Sequence, residues 1–72
     1  MLFLRVSMQI YDNKGLHKGT FDGQYLYDLE GKMFLRVDGD EVYSMDIPCK
    51  YVGVFEDNKI KQLDGILAYS IR

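Results

Sequence analysis

The sequence predicts an all-β protein, an antiparallel meander of about eight short strands. Turn signals recur throughout the chain, and the segments between them are about five or six residues long, which suits strands and is too short for helices. At 72 residues the chain is at most one domain, 1–72. Its 47% hydrophobic and 28% charged residues are typical of a folded protein rather than a disordered one.

A unit of about 16–18 residues repeats four times along the chain. The repeated units begin at Ile10-Tyr11-Asp12, Leu26-Tyr27-Asp28, Val42-Tyr43-Ser44 and, more faintly, Ile60-Lys61-Gln62. A second segment, Phe3-Leu4-Arg5-Val6, returns letter for letter as Phe34-Leu35-Arg36-Val37. We therefore expect four pseudo-repeated hairpins, curved or closed around a pseudo-four-fold axis.

The strands follow in order between turn signals. They are predicted at 2–10, bent or broken near Ser7, and at 16–21, 24–28, 32–37, 41–45, 50–56, 59–63 and 66–71. Asp22-Gly23 and Asp38-Gly39 predict two-residue turns of type I′, which need positive φ, and Asp57-Asn58 takes the equivalent place. Asp12 and Asp28 are expected to cap the backbone amides two residues on. We expect the first and last strands, 2–6 and 66–71, to pair and so remove the exposed edges.

Alternation along the strands divides their side chains between two faces. The predicted core holds Leu4, Val6, Ile10, Gly19, Phe21, Leu26, Leu35, Val37, Val42, Gly53, Phe55, Ile60, Tyr69 and Ile71. Gly19 and Gly53 stand there either because a tapering interior needs small residues or because the strands bend. The opposite face holds Phe3, Phe34, Val52 and Ala68 together with Tyr11, Tyr27 and Tyr43. A sheet that is apolar on both faces needs cover from its own chain or from another subunit.

The units Ile10–Gly15 and Leu26–Lys32 resemble those of the small bacterial four-fold beta flower proteins. The resemblance extends over nearly the whole chain. It implies short hairpins arranged around a pseudo-four-fold axis, and it implies no activity.

Charge and residue counts argue against several classes of function. A formal net charge of −2 lacks the basic excess that nucleic-acid binding requires, and no basic run would attract a membrane. One histidine and one cysteine, His17 and Cys49, cannot fill a zinc site by themselves, and neither belongs to a recognisable catalytic motif. We expect no enzyme, no metal and no cofactor. The expected location is cytoplasmic by default, and export stays open if a leader has been removed.

Two functions remain as hypotheses. The first is a non-enzymatic interaction module that forms a homo-oligomer through its apolar, tyrosine-bearing face, with Phe3, Phe34 and Val52 in the interface. A small domain without a disulfide gains stability from such a partner. The alternative is a small carbohydrate- or cell-wall-type ligand-binding module, in which the repeated Tyr11, Tyr27 and Tyr43 stack on sugar rings.

Overall fold

The computed structural model describes residues 8–72, which form eight antiparallel β-strands. The strands are β1 (Met8–Asp12), β2 (His17–Phe21), β3 (Tyr25–Asp28), β4 (Met33–Asp38), β5 (Glu41–Ser44), β6 (Tyr51–Glu56), β7 (Lys59–Gln62) and β8 (Leu67–Ile71). Each strand pairs with the next, and β8 pairs with β1, so the sheet closes into a barrel. The predicted all-β meander of four hairpins is confirmed, and no helix occurs within residues 8–72.

The barrel closes between β1 and β8. Ile10 lies opposite Ile71, and Gln9 and Arg72 exchange two backbone hydrogen bonds of 2.7 and 2.9 Å. The first and last described strands pair, and β7 and β1 occupy the two edges of β8. The prediction placed this pairing at residues 2–6. The residues of that predicted strand, 2–6, lie outside the described part of the chain.

Side chains fill the barrel in layers of four, with one member from each hairpin. The middle layer is Ile10, Leu26, Val42 and Ile60, all 0–3% exposed. Phe21, Val37, Phe55 and Ile71 form the layer on one side of it, and Gly19, Leu35, Gly53 and Tyr69 form the layer on the other. The predicted core is thus confirmed within residues 8–72. Layers contributed by alternate strands suit a small barrel, whose interior is just wide enough for side chains.

Short turns join the hairpins at one end of the barrel, which we call the turn end (residues 22–25, 38–41 and 56–59). Asp57 and Asn58 both have positive φ, 54° and 58°, as a type I′ turn requires. At the other two turns the central residues are Gly23-Gln24 and Gly39-Asp40, and only the glycine has a positive φ. Those two turns therefore follow the type II′ pattern and lie one residue later than predicted.

Longer loops lie at the opposite end, which we call the loop end (residues 12–18, 28–32, 44–50 and 61–66). Asp12 Oδ1 accepts hydrogen bonds of 2.9 Å from the backbone N–H groups of Lys14 and Leu16. Asp28 Oδ1 likewise accepts hydrogen bonds of 2.9 Å from the backbone N–H groups of Glu30 and Lys32. The predicted capping role of both aspartates is confirmed, and it fixes two equivalent loops in the same shape.

Gly19 and Gly53 allow neighbouring backbones to approach closely. A Cβ atom added at Gly53 would overlap the carbonyl oxygen of Lys61, and one added at Gly19 would overlap that of Tyr27. The added atom would meet the adjacent strand, so close backbone approach explains both glycines directly.

We expect Gly53→Ala to destabilise the protein by about 1–3 kcal/mol, because the strands must separate to admit the methyl group. Urea unfolding followed by tyrosine fluorescence measures the change in the free energy of unfolding. Ser70→Ala on the outer wall of β8 is the control, and its effect should stay within about 0.5 kcal/mol. Equal stability of Gly53→Ala and the wild type would contradict this account of the close approach.

Candidate functional site

An extra residue interrupts the strand pairing once in every hairpin, near the loop end. In each case the second strand has one residue without a partner, which is a β-bulge. The four bulge residues are Lys18, Phe34, Val52 and Ala68. They occupy equivalent positions around the barrel, so their side chains determine the character of this end.

Three of the bulge residues line a pocket inside the barrel, which we call the mouth pocket. It is lined by Phe34, Leu35, Val52, Ile60, Lys61, Gln62, Ala68 and Tyr69. Because β4 and β8 lie on opposite sides of the eight-stranded ring, side chains from both can meet only in its interior. The rings of Phe34 and Tyr69 do meet, with centroids 5.7 Å apart in an edge-to-face arrangement.

The bulges also correct the predicted faces of Phe34 and Val52. Strict alternation places both side chains on the outer face with the tyrosines. In the structure both are half-buried and pack against the core, because the extra residue breaks the alternation. Ala68 shares this arrangement, while Phe3 lies outside the described residues.

The mouth pocket has a volume of about 220 Å³. Two features leave this space open at the loop end: Gly53 contributes no side chain to the adjacent layer, and Ala68 is the smallest of the bulge residues. Ile60 of the middle layer is 3% exposed and lies at the inner side of the pocket. The pocket is therefore a shallow apolar chamber, open toward the loops and closed by the core.

Exposed hydrophobic side chains are concentrated at the loop end, and we call this set the apolar rim. Two of its members, Met33 and Tyr51, pair with Tyr27 and Tyr43 and so lie on the outer wall next to the loops. The rim consists of Leu16, Leu29, Met33, Met45, Ile47, Tyr51, Leu63 and Ile66. Every one of the four loops contributes at least one member, and Ile47 is fully exposed. Among residues 8–72 the one other exposed large hydrophobic residue is Met8, at the turn end. An apolar concentration at one end of a small protein is typical of a contact surface.

Charge is distributed unevenly between the two ends of the barrel. The loop end carries Asp12, Asp28, Glu30, Asp46 and Asp64 against Lys14, Lys18, Lys32, Lys50 and Lys61, which balance. The turn end carries Asp22, Asp38, Asp40, Glu41, Glu56 and Asp57 against Lys59 and Arg72. Within residues 8–72 the loop end is thus apolar and electrically balanced, while at the turn end acidic residues outnumber basic ones and the one exposed large hydrophobic residue is Met8.

Comparison of the chain with protein-family models, curated proteins and solved structures finds no match. The resemblance to the four-fold beta flower proteins stays a prediction. No helix in the described part of the chain is long and apolar enough to cross a membrane.

The three repeated tyrosines lie on the outer wall of the barrel. Tyr11, Tyr27 and Tyr43 each follow a residue of the buried middle layer, so they point outward. Each lies two strands from the next around a closed ring, at about 4.8 Å per strand, and they face different directions. The structure does not bring the three rings together in one surface.

Neighbouring side chains also occupy the predicted stacking faces. The guanidinium of Arg72 lies 4.4 Å from the ring centre of Tyr11, and that of Arg36 lies 4.9 Å from the ring centre of Tyr43. The hydroxyl of Tyr43 donates a 2.7 Å hydrogen bond to Glu41 Oε1. That bond raises the pKa of Tyr43, and burial and the carboxylate charge of Glu41 act in the same direction. The rings of Tyr11 and Tyr43 therefore pack against neighbouring side chains of the outer wall.

The remaining candidate groups do not form a reactive cluster. Cys49 is exposed at the loop end, with its Sγ 3.7 Å from Arg36 Nη2. The ring of His17 is 2.7 Å from Gln9 Oε1 and packs against Tyr11. No group of three or more histidine, cysteine or acidic residues within 8–72 is placed to hold a metal ion.

Asp12 has the clearest electrostatic signature at the loop end. The backbone N–H of Leu16 holds the pKa of the Asp12 carboxyl below its usual range, against an opposing effect of burial. The backbone N–H of Lys14 and the nearby ammonium groups of Lys18 and Lys14 lower the pKa further. The carboxylate therefore stabilises its loop in the ionised form.

We expect Asp12→Asn to lower the thermal unfolding midpoint at neutral pH. As the pH is lowered into the acid range, the midpoint of the variant should then decrease less than that of the wild type. Because the folded pKa lies below the unfolded value of about 3.9, the stabilisation is complete above that pH and is lost as the pH falls through the folded pKa. Thermal unfolding between about pH 2 and 7 measures both effects. Asp46→Asn is the control, since this exposed carboxylate makes no hydrogen bond within residues 8–72. Identical pH profiles for Asp12→Asn and Asp46→Asn would contradict the role of Asp12.

Proposed function

We propose that this protein is a non-enzymatic interaction module that self-associates through the loop end of its barrel. The observation that carries the proposal is the apolar rim, in which eight large hydrophobic side chains are exposed in or next to the loops at one end of the barrel. Burying such side chains removes about 25 cal/mol of unfavourable free energy per Å² of apolar surface. A second copy of the chain offers a surface of the same chemistry.

The charge distribution supports a second copy as the occupant. In a symmetric dimer the same patch meets itself, so the patch must be self-complementary. The five acidic and five basic residues of the loop end balance, and a rotated copy can place lysines opposite carboxylates. The turn end has six acidic residues against two basic ones, so two copies repel each other there. Among residues 8–72, the distribution of charge therefore favours association at the loop end over the turn end.

Two of the predicted interface residues belong to the proposed interface as well, but they lie in the mouth pocket and not on the tyrosine-bearing wall. Phe34 and Val52 line the mouth pocket at the centre of the rim, so a partner seated on the rim covers both. Side chains at the centre of an interface are the ones most fully removed from water. Within residues 8–72 the outer wall exposes two large hydrophobic side chains, Met33 and Tyr51, and both lie next to the loop end.

We expect Ile47→Asp to shift the protein toward the monomer by weakening self-association about tenfold or more, because the substitution places a charge in the interface. Sedimentation velocity over the micromolar range measures the populations. The side chain of Ile47 is fully exposed within the chain, so the variant should keep the wild-type unfolding midpoint at protein concentrations where both proteins are monomers.

The matched control is Met8→Asp, which makes a similar apolar-to-acidic change at an exposed residue of the turn end. It should leave the association unchanged. A wild-type protein that stays monomeric up to about 100 µM would overturn the proposal, as would equal weakening by the two variants. Leu29→Asp, at a second exposed rim position, should reproduce the effect of Ile47→Asp.

A further inference from the structure

We propose that the mouth pocket binds one small, neutral aromatic molecule of one or two rings. The site is the interior of a single barrel, and the inference does not rest on self-association. It assigns a ligand class to a cavity formed by three bulge residues and the core.

The size of the pocket limits the ligand. A cavity of about 150 Å³ lined by aliphatic and aromatic side chains holds a molecule of the size of benzene. The mouth pocket, at about 220 Å³, has room for one or two fused rings. Pockets for larger organic ligands span about 300–1,000 Å³, so an extended lipid or an oligosaccharide does not fit inside.

The lining determines the polarity of the ligand. Phe34, Leu35, Val52, Ile60 and Ala68 present apolar side chains. Of the two polar lining residues on β7, Lys61 follows the buried Ile60 and points outward as the tyrosines do, and Gln62 carries a neutral amide. A charged ligand would lose its hydration on entering, because the side chains that point into the pocket carry no charge. A neutral apolar ligand loses little on entering.

The aromatic pair favours a ring over an aliphatic chain. Phe34 and Tyr69 meet edge to face at an interplanar angle of 70° across the pocket. A third ring beside them can adopt the same offset or edge-to-face contacts, which add about 0.5–1.5 kcal/mol per pair beyond burial of area. The residues of the pocket come from four different strands of a closed barrel, so the chamber is largely formed before the ligand arrives.

Indole is the probe for this site, and benzoate is the charged counterpart. Titration of the isotope-labelled full chain, followed by amide chemical shifts, should show saturable indole binding with a Kd below about 1 mM. The largest shifts should fall at the loop-end residues of β4, β6 and β8. Benzoate should bind at least about tenfold more weakly. Failure of indole to saturate, or equal affinity for benzoate, would overturn the inference.

Ala68→Leu tests the location by filling the pocket from β8. We expect it to weaken indole binding at least about tenfold, while Ser70→Leu, two residues along on the outer wall, leaves the Kd unchanged. Val52→Ile adds a methyl group on β6, which reduces the volume of the pocket, and it should weaken indole binding to a smaller extent. It serves as the second variant if the amide spectrum of Ala68→Leu has lost its dispersion. Unchanged affinity in whichever pocket variant remains folded would overturn the inference.

Ile47→Asp separates the two proposals. This variant should still bind indole saturably, with a Kd below about 1 mM, while it sediments as a monomer. Loss of indole binding in that monomer would show that the site needs two copies, and would overturn the assignment to a single barrel. Indole binding by a wild-type protein that never associates would leave the ligand inference intact and overturn the proposed function.

Discussion

The pairing of β1 with β8 is the constraint on which the rest of this structure depends. A hairpin of two short strands is marginally stable in water, and this chain consists of four of them. Hydrogen bonds between Gln9 and Arg72, next to the pair Ile10 and Ile71, join the first hairpin to the last. Closure removes both exposed sheet edges and completes each four-member layer. The enclosed core, and the pocket above it, exist only because the ring is complete.

The four bulges place a different side chain at the same position of each hairpin, so the loop end is not chemically uniform. Each hairpin inserts one extra residue at the same position, so the four backbones follow nearly the same path. The inserted residues are Lys18, Phe34, Val52 and Ala68, which range from charged to aromatic to small. In the first hairpin the bulge residue Lys18 forms an ion pair with Asp12. In the other three hairpins the bulge residues line the mouth pocket. The backbone therefore repeats while the chemistry of the opening varies.

Much of the fold could be predicted from the sequence, because turns and alternation are local properties. The positions of Asp57-Asn58 and of the capping aspartates followed from turn chemistry, and the buried middle layer followed from alternation. The bulges could not be predicted, since an extra residue leaves no mark in the letter pattern, and they moved Phe34 and Val52 to the other face. Pairing of the first strand with the last was predicted, but its register was not, because alternation does not identify which residues of distant strands lie opposite each other. Leu29 and Ile47 fall between the predicted strands and were not predicted as contact residues, although both are exposed members of the rim.

The pairing of β1 with β8, which we call the seam, also differs from the other seven strand pairings in when it forms. Every other strand pairs with its neighbour in sequence, whereas Ile10 and Ile71 are 61 residues apart. The entropy lost when a loop closes grows with the logarithm of its length, so local hairpins form before their ends can meet. The seam is then the last pairing to form and the first to open. An opened seam exposes two complementary strand edges, and at high concentration the β8 of one molecule can pair with the β1 of another. The contact that makes each barrel self-contained is also the place where two chains can exchange strands.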